Sequence, residues 1–165
     1  MKKNVKSNLK FEYVETIKEV NSRKLFGVSF FKYSSNVFCV VGGKEINVYE
    51  IEDSEKFTTR IIYSFADYND IFYTCDWTYD DSKKVPVILV AGSLGIIRVI
   101  KLLDKHYHKV LLGHGSSVNE LMTHCHNPNL VFSASKDRCV KLWHWKMNSQ
   151  IAIFGGIQGH RDECL

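Results

Sequence analysis

The sequence predicts an all-β fold built from consecutive four-stranded antiparallel units. Aromatic and β-branched runs of five to eight residues recur along the 165-residue chain, and Asn, Asp, Gly and Ser separate them, as expected for strands and turns. Only two prolines occur, and no long stretch has helical periodicity. Similar strings also return at intervals of 43 and 46 residues, and such self-similarity indicates a repeat architecture.

The clearest unit lies between Gly113 and Phe154. In chain order it contains a Gly-His loop at 113–114, strands at 118–124 and 130–135, a tight turn at 136–138, a third strand that ends at Trp143 and a fourth strand at 150–154. A second Gly-His pair follows, so that His114 and His160 are 46 residues apart. This spacing is close to the roughly 40–45 residues of a four-stranded propeller blade.

Two earlier units are weaker copies of this one. Residues 95–100 align with residues 138–143 at an offset of 43, and residues 44–49 align with the same segment at an offset of 94. The first strands of the three units are therefore expected to begin near Leu25, Phe72 and Val118. The repeats divide the chain into blade 1 (25–65), blade 2 (66–112) and blade 3 (113–154), followed by a linker and the start of a fourth blade (155–165).

Blade 3 also carries the residues of a buried hydrogen-bond network that is typical of WD repeats. The residues are His114, Ser133, Asp137 and Trp143, and the spacings are 23 residues from His114 to Asp137 and six from Asp137 to Trp143. We expect Asp137 to bind the His114 imidazole, His114 to contact Ser133, and Ser133 to accept from the Trp143 indole, so that each buried polar group has a partner. Blades 1 and 2 lack both the histidine and the tryptophan and are expected to be held by packing instead.

Charge and cysteine usage restrict the class of protein. The balance of 22 basic and 18 acidic residues gives a net charge of +4, too weak to indicate direct, sequence-specific nucleic-acid binding. Four lysines fall in residues 1–10, which are expected to form a flexible, solvated terminus rather than a phosphate-binding arm. The longest apolar stretch, residues 85–91, is too short to span a bilayer. The five widely spaced cysteines contain no C-x-x-C pair and fit a reducing cytosol or nucleus.

Neither a catalytic constellation nor a metal or cofactor site stands out. Alternate residues of a strand point to opposite faces, so Cys125 cannot join His124 and His126 around one ion. His106 and His108 share a strand face, but a third ligand is not evident. No nucleophile and base occur at a suitable spacing, and we expect a protein that is not an enzyme.

Several strings resemble the Polycomb family of the embryonic ectoderm development protein, the WD-repeat subunits of Polycomb repressive complex 2. They are residues 25–30 (LFGVSF), 72–80 (FYTCDWTYD), 90–98 (VAGSLGIIR), 151–156 (IAIFGG) and 159–163 (GHRDE). The similarity covers nearly all of residues 11–163. It implies an all-β WD40 β-propeller, truncated here to about three four-stranded antiparallel blades of a seven-bladed ring, in which residues 11–24 would supply the strand that closes the last blade.

The resemblance also implies a function. The family provides a non-catalytic, nuclear scaffold of a histone H3 lysine methyltransferase complex that represses transcription. One face reads trimethyl-lysine on the histone H3 tail through an aromatic cage, and the other grips a helical segment of the catalytic SET-domain subunit. Further partners are the other Polycomb complex subunits. By position, Phe26 and Tyr73 match two cage aromatics, whereas Asn119 and Lys136 match polar groups of the same pocket.

The sequence departs from the family because it stops at Leu165, where a fourth blade begins. The remaining cage aromatics and the last blade are therefore absent, and we expect half a cage to bind more weakly. An open arc is also expected to expose apolar residues of blades 1 and 3, such as Val28, Phe30, Val131 and Leu142. Two other interpretations stay open: a substrate-recruiting WD-repeat adaptor of a ubiquitin ligase, and an inert truncated isoform. Without the family match, Phe26 and Tyr73 would be read as ordinary core aromatics.

Overall fold

The computed structural model describes residues 13, 16–19, 23–53, 58–102, 109–156 and 159–165. These residues form twelve strands: β1 (Gly27–Phe30), β2 (Val37–Gly42), β3 (Glu45–Asp53), β4 (Thr58–Ala66), β5 (Phe72–Asp80), β6 (Val85–Gly92), β7 (Ile97–Lys101), β8 (Lys109–Leu111), β9 (Val118–Thr123), β10 (Leu130–Ser135), β11 (Val140–His144) and β12 (Ser149–Phe154). Within the described ranges there is no helix, and hence none that could cross a membrane.

The strands form three four-stranded antiparallel sheets, each made of consecutive strands. The orders are β1-β2-β3-β4, β5-β6-β7-β8 and β9-β10-β11-β12, and these sheets are blades 1, 2 and 3. Each blade is an up-and-down meander, which antiparallel pairing permits with short hairpin connections. The predicted all-β fold of three four-stranded antiparallel blades is confirmed.

The turn between the second and third strands contains one left-handed residue in every blade. Its left-handed residue is Gly43 (φ 56°) in blade 1, Gly95 (φ 71°) in blade 2 and Arg138 (φ 66°) in blade 3. Glycine adopts this conformation without a steric penalty. In blade 3 the turn is also held by Asp137, whose Oδ1 accepts the backbone N–H of Cys139 at 3.0 Å. This turn chemistry sets the register of the second and third strands.

Blade 2 is packed on both faces because its strands alternate between two hydrophobic cores. Ile88, Val90 and Ile100 belong to the core shared with blade 1, whereas Val87 and Leu89 belong to the core shared with blade 3. Alternate strand residues point to opposite faces, so nearly every position of β6 is apolar and buried. Trp77 and Trp145 are among the largest fully buried side chains.

The apolar side chains that were expected to be exposed on the outward faces of blades 1 and 3 are only partly exposed. Val28 and Phe30 are 63% and 57% exposed, and Leu142 is half-buried. The prediction for Val131 is wrong, since this residue is fully buried in the core between blades 2 and 3. The reason is its register: Val131 pairs with Trp143, and the side chains of both residues face blade 2.

The expectation that blades 1 and 2 are held by packing instead of a polar network is also wrong, because each contains such a network. In blade 2 the buried Arg98 guanidinium lies 2.5 Å from the Asp70 carboxylate and 2.6 Å from the Asp67 carboxylate. Asp70 also accepts from the Ser93 hydroxyl at 2.7 Å and from the Leu94 backbone N–H at 3.1 Å. Buried charges are tolerated when they are paired and hydrogen-bonded in this way.

Blade 1 has a corresponding network around Glu19. Its carboxylate accepts from the Asn47 amide at 2.9 Å, the Tyr49 hydroxyl at 2.7 Å and the Arg23 guanidinium at 2.7 Å. Burial and the hydrogen bond to Glu19 raise the pKa of Tyr49 to about 12. The described residues of the predicted closing segment 11–24 are not in a strand, and Glu19 and Arg23 instead link that segment to blade 1. The expected flexible terminus, residues 1–10, lies outside the described residues.

The three blades share one polar contact, which joins the third strand of a blade to the segment that precedes its first strand. Asn47, Arg98 and Lys141 are buried and occupy the same register of the third strand. Each binds the segment that leads into the first strand of its blade, through Glu19, Asp70 and the Gly113 carbonyl respectively. A polar contact at this position therefore ties the third strand of every blade to the connection that precedes the blade.

Candidate functional site

The four network residues of blade 3 form a continuous chain of hydrogen bonds. His114 Nδ1 lies 2.8 Å from Asp137 Oδ2, His114 Nε2 lies 2.6 Å from Ser133 Oγ, and the Trp143 indole N–H donates to Ser133 Oγ at 2.8 Å. A carboxylate only accepts, so the proton is on Nδ1 of His114 and Ser133 donates to Nε2. The predicted order of contacts is the one observed.

Burial decides the protonation state of this network. It lowers the pKa of His114, and this effect outweighs the opposing hydrogen bond and charge of Asp137. The pKa of Asp137 is also lowered, since hydrogen bonds from Gly115 and His114 outweigh its burial. The pair is therefore a neutral imidazole and an ionised carboxylate at neutral pH. These residues stabilise blade 3 and leave no group free for chemistry.

The first strands β1, β5 and β9 lie side by side at a constant register of 47 residues. Asp76 Oδ1 accepts from the Ser29 hydroxyl at 3.1 Å, and Asp76 Oδ2 accepts from the Thr123 hydroxyl at 2.7 Å, each across 47 residues. The Leu121 backbone N–H donates to Thr74 Oγ1 at 3.2 Å with the same separation. We call the N-terminal ends of these strands the upper end of the arc and the C-terminal ends the lower end.

Phe26 and Tyr73 meet at the upper end, as their positions predict. Their ring centroids are 5.3 Å apart and the rings are nearly perpendicular, at 78°. Phe26 is 50% exposed and Tyr73 is half-buried. Gly27 permits this approach, because a β-carbon there would lie 3.2 Å from the Tyr73 carbonyl oxygen. Aromatic rings attract cations to their faces, so two partly exposed rings that meet at this angle can line a cation site.

Asn119 and Lys136 form a second pair at the same end. The Asn119 amide donates to the Cys164 carbonyl at 2.7 Å, and Lys136 Nζ lies 3.4 Å from the Glu163 carboxylate. Both side chains thus contact the 159–165 segment rather than the two rings. The Lys136 side chain remains 46% exposed. The structure therefore brings the four predicted residues together as two pairs and not as one closed pocket.

The lower end contains a small groove of about 50 Å³ between the three first strands. Its lining residues are Phe31, Lys32, Tyr33, Trp77, Thr78, Tyr79, Thr123, His124, Cys125, His126 and Pro128. The Tyr33 ring lies 5.3 Å from Tyr79 and 5.5 Å from Phe31. Lys32 Nζ donates to Thr123 Oγ1 at 2.8 Å. The groove is thus an aromatic surface with a cationic edge.

Metal-ligand groups do not converge in the described ranges, where no three His, Cys, Asp or Glu side chains form a candidate metal site. His124 uses Nδ1 to accept the backbone N–H of His126 at 3.2 Å and that of Asn127 at 3.1 Å. This hydrogen bonding closes the turn after β9. His106 and His108 lie outside the described residues.

Two residues of the first strands were missed by the sequence analysis. Asp76 links all three blades, and Glu120 on β9 is hydrogen-bonded to Thr74 of β5. The signal that could have found them is the spacing of 47 residues between contacting residues of neighbouring first strands, which differs from the offset of 43 between the third strands of blades 2 and 3. The loops before the first strands and before the third strands differ in length from blade to blade. A single alignment offset therefore cannot align both the first strands and the third strands of two blades.

The sequence is similar to those of curated Polycomb proteins. It is 38% identical to the Polycomb protein esc of Drosophila virilis over 164 residues, which cover 97% of this chain and 39% of that protein. It is 36% identical to the Polycomb group protein FIE1 of Oryza sativa subsp. japonica over 158 residues, which cover 93% of this chain and 34% of that protein. The chain therefore spans less than half the length of these relatives. No family model matches it.

The fold is similar to that of a chain in a solved Polycomb complex. This is the structure of the Chaetomium thermophilum polycomb repressive complex 2 in complex with H3K27me3 and H3K27M. The match has a TM-score of 0.76 and 26% sequence identity, and it covers 84% of this chain and 31% of that chain. The three-blade arc thus matches about a third of the neighbour's chain.

Proposed function

Since this chain belongs with the Polycomb esc and FIE proteins over nearly its whole length, we propose that it forms blades 1 to 3 of a Polycomb WD-repeat subunit. In this proposal it is a non-catalytic, nuclear scaffold that reads trimethyl-lysine on the histone H3 tail and helps to repress transcription. The observation that carries the proposal is the exposed contact of Phe26 with Tyr73 at the upper end.

The chemistry of the ligand fits this pair of rings. A trimethylammonium group has no N–H to donate, so it is held by the negative faces of aromatic rings rather than by acceptors. Each such contact contributes about 0.5–2 kcal/mol, depending on how far it is desolvated. The similar chain belongs to a complex with H3K27me3, which supports this choice of ligand. Asn119 and Lys136 would bind backbone or side-chain oxygens of the peptide beside the rings.

The lower-end groove is the proposed contact for a helical segment of the SET-domain catalytic subunit. An amphipathic helix binds by placing apolar side chains into a hydrophobic groove, and Tyr33, Tyr79 and Phe31 provide such a surface. The other Polycomb subunits would assemble on the same scaffold. The similarity to Polycomb proteins favours this assignment over a ubiquitin-ligase adaptor.

Two substitutions on β5 test the two ends of the molecule separately. Fluorescence anisotropy would compare two histone H3 peptides that differ only in whether their central lysine is trimethylated or unmodified. We expect the wild-type chain to prefer the trimethylated peptide and Tyr73→Ala to lower its affinity about five- to thirtyfold, the equivalent of one to two kcal/mol.

Tyr79→Ala is the matched control, because it removes a half-buried tyrosine from the lower end of the same strand. It should keep peptide binding and weaken binding of the catalytic-subunit segment. Equal binding of both peptides by the wild type would contradict the reader assignment.

A further inference from the structure

Two buried cysteines meet at the interface between blades 1 and 2. Cys39 lies on β2 and Cys75 on β5, and their sulfur atoms are 3.2 Å apart. Both residues belong to the hydrophobic core that these two blades share. Cys39 is fully buried, whereas Cys75 is 6% exposed. Both are free thiols, so two oxidisable groups face each other across an apolar interface.

Hydrogen bonds beside the two sulfur atoms fix the strands that carry them. Ser29 on β1 is the cross-strand neighbour of Cys39. Its hydroxyl donates to Asp76 Oδ1 at 3.1 Å, and its carbonyl accepts the indole N–H of Trp77 at 2.8 Å. Asp76 and Trp77 directly follow Cys75 in β5. The register between blades 1 and 2 is therefore set at the level of the two cysteines.

The two thiols are close to bonding distance. A disulfide bond is about 2.05 Å long, so the sulfur atoms would have to approach each other by only about 1.2 Å. The two cysteines are 36 residues apart in the sequence, and a bond between them would close a loop that contains β3 and β4. A cross-link of this kind stabilises a fold by restricting the unfolded chain.

We infer that Cys39 and Cys75 are an oxidisable pair, which hydrogen peroxide converts to a disulfide that links blade 1 to blade 2. The sulfur of Cys75, the more accessible of the two, attacks one oxygen of the peroxide and becomes a sulfenic acid. The O–O bond breaks, and the leaving hydroxide takes the thiol proton to form water. The Cys39 sulfur then attacks the sulfenic sulfur, the S–O bond breaks and a second water leaves with the Cys39 proton. The two sulfurs lose the two electrons that the peroxide gains.

The surroundings of the pair make this reaction slow. Contact with Cys39 and burial raise the pKa of the Cys75 thiol well above its ordinary value, and the charges of Asp76 and Glu120 act in the same direction. The thiolate is the reacting form, so we expect slow oxidation at neutral pH and faster oxidation in mild alkali. Burial also favours an oxidant as small as hydrogen peroxide. The pair therefore stays reduced in a reducing compartment and responds only when peroxide is present.

Tryptic mapping of the peroxide-treated chain tests the inference. Trypsin cleaves after lysine and arginine, so Cys39 is recovered in the peptide 33–44 and Cys75 in the peptide 61–83. Neither peptide contains methionine, which peroxide also oxidises. The folded chain would be treated with hydrogen peroxide at about pH 8.5, and the remaining thiols would be alkylated before digestion. We expect the two peptides to be cross-linked, with a mass two hydrogen atoms below their sum, and to separate on reduction.

The unfolded chain and two variants are the controls. In concentrated urea the fold no longer selects the partners of the five cysteines, so peroxide should give mixed pairs dominated by short loops, such as Cys125 with Cys139. Cys125→Ser removes an exposed thiol and should leave the cross-link unchanged. Peroxide should raise the urea midpoint of the wild type by about 1–2 M and leave that of Cys39→Ala unchanged.

Two results would overturn the inference. One is the recovery of the peptides 33–44 and 61–83 as separate species from the folded, peroxide-treated chain. The other is the same mixture of cysteine pairs in the folded and the unfolded chain, which would show that the structure does not select this pair. Either result leaves the proposed reader function untouched, because the peptide titrations measure that function separately.

Discussion

A single histidine links the stability of blade 3 to pH. His114 is neutral in the folded chain because its burial lowers its pKa below the ordinary value of 6.5. The unfolded chain takes up the proton that the folded chain excludes, so the free energy of unfolding falls as pH drops below about 6.5. Asp137, whose pKa is also lowered, adds a further loss of stability only in stronger acid, below the ordinary carboxyl range.

We therefore expect the urea midpoint of the wild-type chain to fall between pH 7.5 and pH 5.5. His114→Gln should be less stable at pH 7.5 by about 1–3 kcal/mol, since it disturbs a buried hydrogen-bond network, and its midpoint should change less over the same pH range. His160→Gln is the control, because His160 follows a glycine in the same way but is exposed. A pH dependence that is unchanged in His114→Gln would show that another group is responsible.

At the scale of one blade, blade 2 is stabilised by buried ion pairs, whereas blade 3 is stabilised by a hydrogen-bond network around His114. The Asp70 side chain is fully buried and contacts Arg98 at 2.5 Å. Asp70→Asn keeps the shape but leaves the buried guanidinium with Asp67 alone. Removing one partner of a buried pair costs about 3–5 kcal/mol, and the remaining carboxylate should bring the loss toward the lower limit. Urea unfolding followed by circular dichroism would measure it.

The control for this change is Arg60→Met. Arg60 also pairs with two carboxylates, Glu50 and Glu52, but its side chain is 59% exposed. Exposed pairs contribute little, so we expect no measurable change in the midpoint. Similar losses for Asp70→Asn and Arg60→Met would contradict the view that the buried network holds blade 2.

The strands and the polar network of blade 3 could be predicted from sequence patterns, and the aromatic pair from the family resemblance, whereas the polar networks of blades 1 and 2 could not. Alternating apolar residues and turn signals are local, so they identify strands such as β9 to β12 directly. Arg98 and Asp70 are 28 residues apart and match no sequence motif, so only the folded register shows that they meet. Val131 was misassigned because alternation shows that a strand has two faces but not which one meets the neighbouring blade.

At the scale of the whole arc, both proposed sites depend on β5. Tyr73 stands at its upper end and Tyr79 at its lower end, while Trp77 and Cys75 between them are buried. Blade 2 is packed on both faces, whereas blades 1 and 3 each expose apolar side chains such as Phe30 and Met122. The most enclosed blade therefore positions the residues that would contact two different partners. Rigid positioning of this kind is what a scaffold requires.

The central claim is that the Phe26 and Tyr73 rings contact the trimethylammonium group of a bound histone peptide, and NMR tests this claim most directly. A histone H3 peptide with carbon-13 in the three N-methyl groups of the modified lysine would be titrated with the 165-residue chain. Methyl protons held against aromatic faces are shielded, so we expect their resonance to move upfield with the wild type and with Tyr79→Ala, and to stay nearly unchanged with Tyr73→Ala. Binding of the peptide by the wild type without an upfield movement would show that the two rings do not hold the methylated lysine.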